Sequence, residues 1–192
     1  MNHNQTQKTK ELAAKAEFFG LHKNILLPEE HQKILISANQ EKRLLSAKEL
    51  KVLCNRSHSD ANKLEELQAK LPALIDEAKR ILLKRIPNIT EPGGSLYPKE
   101  RAEACWRDCF HFARISIYGT AAGDTNITDK QGLKVVEELY SILEVPINAL
   151  VICLKELQLQ CSRTYTINHP QKDLSLLDGC FNHLVEKMEA MQ

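Results

Sequence analysis

No apolar run in this chain approaches the roughly 18 residues that a membrane-spanning helix needs. The start, Met1-Asn2-His3-Asn4-Gln5, is polar and lacks the apolar core of a secretion signal, so the expected setting is cytoplasmic. Net charge is nearly absent: 26 basic against 25 acidic residues leave +1, which gives no footprint for a nucleic-acid partner or a bilayer. The six cysteines, Cys54, Cys105, Cys109, Cys153, Cys161 and Cys180, form no C-x-x-C pair. In a reducing compartment that predicts buried free thiols rather than a disulfide frame. No glycine-rich phosphate loop, serine elbow or paired-acid constellation is present, so the expectation is not an enzyme. Nothing alternates with the two-residue period of a half-buried strand.

What is present is helical periodicity almost throughout. A charged helix is expected from about Lys8 to Phe19, with Leu12, Ala16 and Phe19 on one side. Pro28-Glu29-Glu30 reads as a helix start, with proline first and acids at the positive helix end. Ser46-Ala47-Lys48-Glu49 is a capping box. Ser59 or Asp60 caps the next helix, whose stripe is Leu64, Leu67, Leu71, Leu74, Ala78 and Leu82. Pro72 interrupts that stripe; a helix-interior proline costs about 3 kcal/mol, which predicts two helices joined there. After the breakers Pro87, Pro92, Gly93 and Gly94 comes a helix carrying Cys105 and ending near Gly119 to Gly123. Thr128 with Gln131 suggests another capping box, opening a helix with Leu133, Val136, Leu139, Tyr140 and Leu143 inward. Pro146 opens the next, with Leu150, Cys153, Leu154, Leu157 and Cys161. Pro170 or Asp173 opens the last, with Leu174, Leu177, Phe181, Leu184 and Met188. The reading is all-α, with helices of uneven length that suit globin-like packing better than a four-helix bundle.

The helix around Cys105 carries the chemistry. Cys105 and Asp108 are three apart and share a face. A carboxylate there suits a charged, flat, conjugated ligand with N–H donors, and charge-assisted bonds are the stronger kind. Arg101 and Arg107 suit carboxylate groups of a ligand. His111 reads as a pocket-rim or interface side chain that can donate a hydrogen bond to a ligand, with a charge that changes near neutral pH. A metal site from Cys109 and His111 is disfavoured because residues two apart diverge on a helix. Haem is disfavoured because the helix from about 128 to 143 lacks a proximal histidine. Trp106 points off the thiol's face and reads as packing or interface.

From about Leu45 onward the chain resembles the phycobiliprotein superfamily, allophycocyanin most of all. The motifs are L-S-A-K-E-L at residues 45–50, K-R-I-P followed by P-G-G-S-L-Y, A-C-W-R-D at 104–108, Y-G-T-A-A-G-D at 118–124, and the Pro146-Ile147 helix start. The resemblance implies a globin-like phycobiliprotein fold with extra N-terminal helices: residues 1–42 as a helical extension and 43–192 as the globin domain. It implies a bilin, a linear tetrapyrrole of the phycocyanobilin type, bound covalently at Cys105 or held in the pocket beside it. Asp108 would partner the ring nitrogens, Arg107 and Arg101 the propionates, with His111 and Phe112 in the pocket.

Departures from the family pattern matter. Ser95 stands where the family has asparagine, Glu100 where many members have a second arginine, and His111 and Phe112 where two tyrosines are common. Together with the extension they point to an accessory role in bilin biosynthesis or delivery, in the branch of bilin biosynthesis-associated globins. The alternatives are a pigmented light-harvesting subunit of the phycobilisome and a pigment-free interaction module. Expected partners are bilin, phycobiliprotein subunits, a bilin lyase or bilin-synthesis enzymes, and a second copy in a homodimer, at the thylakoid-surface phycobilisome. The apolar cluster Leu12, Phe18, Phe19, Leu21 and Ile25 to Leu27 should dock on a partner or on this same domain.

Overall fold

The computed structural model describes residues 3–166 and 172–192. They form eight α-helices: α1 (His3–Lys15), α2 (Glu29–Gln40), α3 (Ala47–Ser57), α4 (Ala61–Arg85), α5 (Lys99–Ala122), α6 (Lys130–Ile142), α7 (Ile147–Thr166) and α8 (Lys172–Glu189). Among the described residues there is no strand, only a single bridge between Phe19 and Thr128. The all-α expectation holds, and the six cysteines are free and buried.

α5 is the central element. Every residue from Phe112 to Ala122 is buried, so this half of the helix is enclosed all round by α3, α4, α7 and α8. Its two small hydroxyl side chains bond back to the helix's own carbonyls. Ser116 Oγ donates to the Phe112 carbonyl at 2.9 Å. Thr120 Oγ1 donates to the Ser116 carbonyl at 2.8 Å. The helix stops at Gly123, whose φ of 76° lies in the left-handed region that glycine adopts freely. Its N–H closes on the Gly119 carbonyl at 2.8 Å.

The capping box at Ser46 and Glu49 forms as expected. At α4 the cap is Asp60, whose side chain accepts from the Asn62 and Lys63 N–H groups. Ser59 instead donates to the Thr120 carbonyl at 3.0 Å. The expected break at Pro72 is absent, and α4 runs unbroken through it. Pro72 sits on the exposed side, while Leu64, Leu67, Leu71, Ile75, Ala78 and Leu82 are buried on the other, mainly against α7. Burial of that stripe on both sides of the proline outweighs one lost hydrogen bond.

Three further boundaries differ. α2 begins at Glu29, with Pro28 just outside as its cap residue. α6 is capped by Asp129, whose carboxylate accepts from the Gly132 N–H at 2.6 Å, one residue later than the Thr128 box. Thr128 is diverted to His183 Nε2, at 2.7 Å. α1 spans His3–Lys15 rather than reaching Phe19. The chain leaves the helix there because residues 18–20 pair with 127–129: the Gly20 N–H donates to the Ile127 carbonyl at 2.9 Å and the Asp129 N–H to the Phe18 carbonyl at 3.0 Å. Pro170 lies outside the described residues; Asp173 falls in the first turn of α8.

The N-terminal apolar cluster docks on this same chain. Phe19, Leu21 and Leu27 are buried, while Ile25 and Leu26 are 90% and 75% exposed. Residues 16–27, between α1 and α2, form a strap that Lys23 clamps to Asp129 at 2.9 Å, and Asn24 donates to Asp124 at 2.9 Å. α1 lies along α6, with Lys8 paired to Glu138 at 2.7 Å. The approach is close: a Cβ on Gly132 would fall 1.7 Å from the Glu17 carbonyl oxygen.

Candidate functional site

Two parallel stripes run along the first half of α5. Arg101, Cys105, Asp108 and Phe112 follow a four-three-four spacing, and Ala104, Arg107, His111 and Arg114 follow three-four-three, so each set lies on one helix face. Both stripes line one cavity of about 570 Å³, within the usual range of ligand pockets. All six residues singled out in the sequence, Arg101, Cys105, Arg107, Asp108, His111 and Phe112, meet at this cavity. Opposite α5 stand Val136, Leu139 and Tyr140 of α6, and residues 16–19 of the strap form a further wall.

Cys105 is 8% exposed and flanks the cavity. One turn on, Cys109 is fully buried, and the neighbouring thiols of Cys105 and Cys153, together with burial, push its thiol well above its usual range. Cys109 is absent from the cavity lining, whereas His111 is part of it. Asp108 Oδ2 accepts from the Tyr140 hydroxyl at 3.0 Å. Burial raises the Asp108 pKa, opposed by the Tyr140 bond and by the charges of Arg107 and Lys42. Tyr140→Phe should therefore raise the Asp108 pKa further, measurable by carbon NMR titration of the carboxyl; an unchanged or lower value would contradict this reading of the pair.

Arg101 is held in place, with Nε on the Ser95 carbonyl at 3.1 Å and Nη2 on the Glu144 carbonyl at 2.7 Å. Arg107 stands exposed at the rim. The Phe112 ring is buried and meets Phe18 edge-on, with centroids 4.9 Å apart. His111 Nδ1 is buried without a partner, and burial with the charges of Arg114, Lys42 and Arg107 lowers its pKa to about 4. Trp106 is half-buried against the core with Lys79 Nζ 5.4 Å from its ring centroid, outside the cavity.

The family model described as Phycobilisome protein matches residues 33–188, most of the chain and all of the helix that builds the cavity wall. The chain belongs to the phycobilisome protein family. Among curated members it is 34% identical over 85 residues to allophycocyanin subunit beta-18 of a Nostoc strain, covering 44% of this chain and 50% of that protein. It is 30% identical over 109 residues to an allophycocyanin alpha subunit of a Picosynechococcus strain, covering 57% and 68%. The chain thus spans about half the length of the first of these relatives. Among solved structures, a far-red fluorescent biliprotein derived from a far-red induced allophycocyanin F subunit of Chroococcidiopsis thermalis superposes with a TM-score of 0.58 at 18% identity. That match covers 67% of this chain and 98% of the other. At this identity the likeness establishes the globin-like phycobiliprotein fold.

Within this phycobilisome protein, four of the cavity residues not placed there from the sequence bear most on its chemistry. Tyr140 was legible only as a core position, because spacing shows a helix face but not what a hydroxyl will meet. Arg114 completes the Arg107–His111 spacing, a signal present in the sequence but masked by the Y-G-T-A-A-G-D motif that follows it. Lys42, in a left-handed turn at φ 52°, and Phe18, in the strap, reach the cavity through tertiary folding alone.

Proposed function

We propose that this chain is a bilin-handling globin of the phycobilisome light-harvesting system, accessory in bilin biosynthesis or delivery. The observation that carries the reading is the meeting of a thiol, a carboxylate and arginines at one cavity: Cys105, Asp108, Arg107 and Arg101. A linear tetrapyrrole fits that donor set. A bilin supplies an ethylidene group open to thiol addition, the new S–C bond forming as the thiol proton passes to the neighbouring carbon. Asp108 is placed to accept from pyrrole N–H groups, and the arginine forks to meet propionates. Phe112 gives a flat apolar surface. Three features favour the accessory role: the strap walling the cavity, Glu100 beside Arg101, and Ser95 after the two glycines. On this reading residues 1–42 form an extension to a globin domain at 43–192. A bilin lyase, bilin-synthesis enzymes, phycobiliprotein subunits and a second copy are the candidate partners. The similarity to allophycocyanin chains favours a second reading, a pigmented antenna subunit.

The test is to produce the full chain with phycocyanobilin and record absorption, then zinc fluorescence on a denaturing gel. Pigment should survive denaturation in the wild type, and Cys105→Ala should abolish that fraction entirely. Denaturation-resistant pigment in Cys105→Ala would remove Cys105 as the linkage, and a colourless wild type would remove the bilin reading. Stoichiometric recovery with phycobilisome rods or cores would select the antenna reading over the accessory one.

A further inference from the structure

One end of the cavity holds more positive charge than the protein itself answers. Arg114 is 4% exposed, yet it has no acid within ion-pair distance among the described residues. Its contacts are neutral: Nη1 donates to the Ala38 carbonyl at 3.3 Å and the Tyr118 hydroxyl at 2.9 Å, and Nη2 to Asn39 Oδ1 at 3.2 Å. Its Nε is buried with no partner, and so is Nδ1 of His111, one turn back on the same face. Arg107 and Lys42 add charge at the rim, and among the described residues neither has an acid within ion-pair distance. A buried cation with only neutral partners is costly, and an anion entering beside it relieves that cost.

The acids that line the cavity are engaged or distant. Asp108 accepts from Tyr140. Glu17, on the strap, pairs with Lys23 at 3.3 Å and lies 3.6 Å from His22. Glu100 lies fourteen residues before Arg114 on α5. At the helical rise that places it about 21 Å back along the axis.

We propose that this end of the cavity is an acid-recognition subsite, in which Arg114 Nε, the His111 imidazole and Lys42 take a carboxylate of the ligand. The proposal deepens the bilin reading and rests on it: one propionate is assigned to Arg114 and His111, in place of the rim arginines alone. Along the helix axis Arg114 stands nine residues from Cys105, about 13 Å, so the subsite and the thiol grip different parts of one extended molecule. Any anion that binds here also reverses the electrostatics of His111. Facing it are Arg114, Lys42 and Arg107, all of which hold it neutral, with Glu17 on the strap across the cavity.

The experiment uses the full chain carrying Cys105→Ala, so that attachment cannot trap the ligand. Phycocyanobilin and its dimethyl ester are each titrated and followed by absorbance. The free acid should bind at least about tenfold more tightly than the ester, as charge-assisted hydrogen bonds imply. His111→Leu and Arg114→Gln should each shrink that ratio severalfold. Arg114 also ties α5 to residues 38 and 39, so Arg114→Gln can fail to fold; His111→Leu breaks no bond to Nδ1 and stands alone. Independently, nitrogen NMR should show the His111 pKa rising from about 4 when the acid binds and staying put with the ester. A ratio unchanged in His111→Leu, together with an unmoved His111 pKa, overturns the subsite. Equal binding of acid and ester removes the subsite and leaves the bilin reading standing. Binding of neither form removes both.

Discussion

Replacing Phe19 by alanine should lower stability by about 3–5 kcal/mol and release the strap from the cavity wall. The ring is 2% exposed and packs edge-on to Tyr118, with centroids 5.5 Å apart, and stacks on His22 at the same distance. Truncation removes a large buried apolar surface and leaves a hole the neighbours fill only partly, because Tyr118 is tied by Arg114. The backbone bridge at Phe19 then loses its anchor, and with it the position of Phe18 against Phe112. Urea denaturation should show a loss of that size, and limited proteolysis should cut residues 16–27 faster. Ile25, 90% exposed in the same segment, supplies the control. Its replacement by alanine should change stability by no more than about 0.5 kcal/mol, as for other surface substitutions. A Phe19→Ala protein as stable as that control would show that the strap does not hold the cavity closed.

How far the sequence foretold this depends on the range of the interaction. Local signals were readable. The capping box at Ser46 needs only residues three apart, and the cavity stripe of Arg101, Cys105, Asp108 and Phe112 needs only helical spacing. Tertiary choices were not. Pro72 looked like a break because its local cost is visible in sequence, whereas the burial of Leu71 and Ile75 against α7 is not. The end of α1 and the cap of α6 moved for one shared reason: Phe18 to Gly20 and Ile127 to Asp129 find each other across more than a hundred residues. Gly132 tolerates that meeting only because it has no side chain, which no local pattern announces. The motifs also brought forward the thiol, carboxylate and arginines that line the cavity, without its wall. Nothing in the spacing of Phe18 or Lys42 says that they border Asp108 and His111.

Acid should destabilise the protein as pH falls from the ordinary glutamate range toward about 2, with Glu49 as the main group responsible. Glu49 receives a bidentate grip from Arg43, Nη1 and Nη2 each donating to one carboxylate oxygen at 2.8 Å. The same carboxylate accepts from the Ser46 N–H and hydroxyl at 2.8 Å, completing the α3 cap. The Arg43 bond first, with the Ser46 bonds, overcomes burial and lowers the Glu49 pKa from 4.5 to about 2. A carboxyl depressed in the fold contributes stability that is fully present above its unfolded pKa. That contribution drains away as pH falls toward the folded value. A shift of this size corresponds to about 3 kcal/mol, reduced to about 2 kcal/mol by solvent screening of the half-buried Arg43. The consequence reaches the cavity: Tyr118 donates to the Arg43 carbonyl, and Arg114 to Tyr118, so loosening Arg43 loosens the wall behind His111. Urea midpoints from neutral pH downward should therefore fall steeply below 4.5 in the wild type and more shallowly in Glu49→Gln, which starts less stable. Parallel profiles for the two proteins would place the acid sensitivity elsewhere.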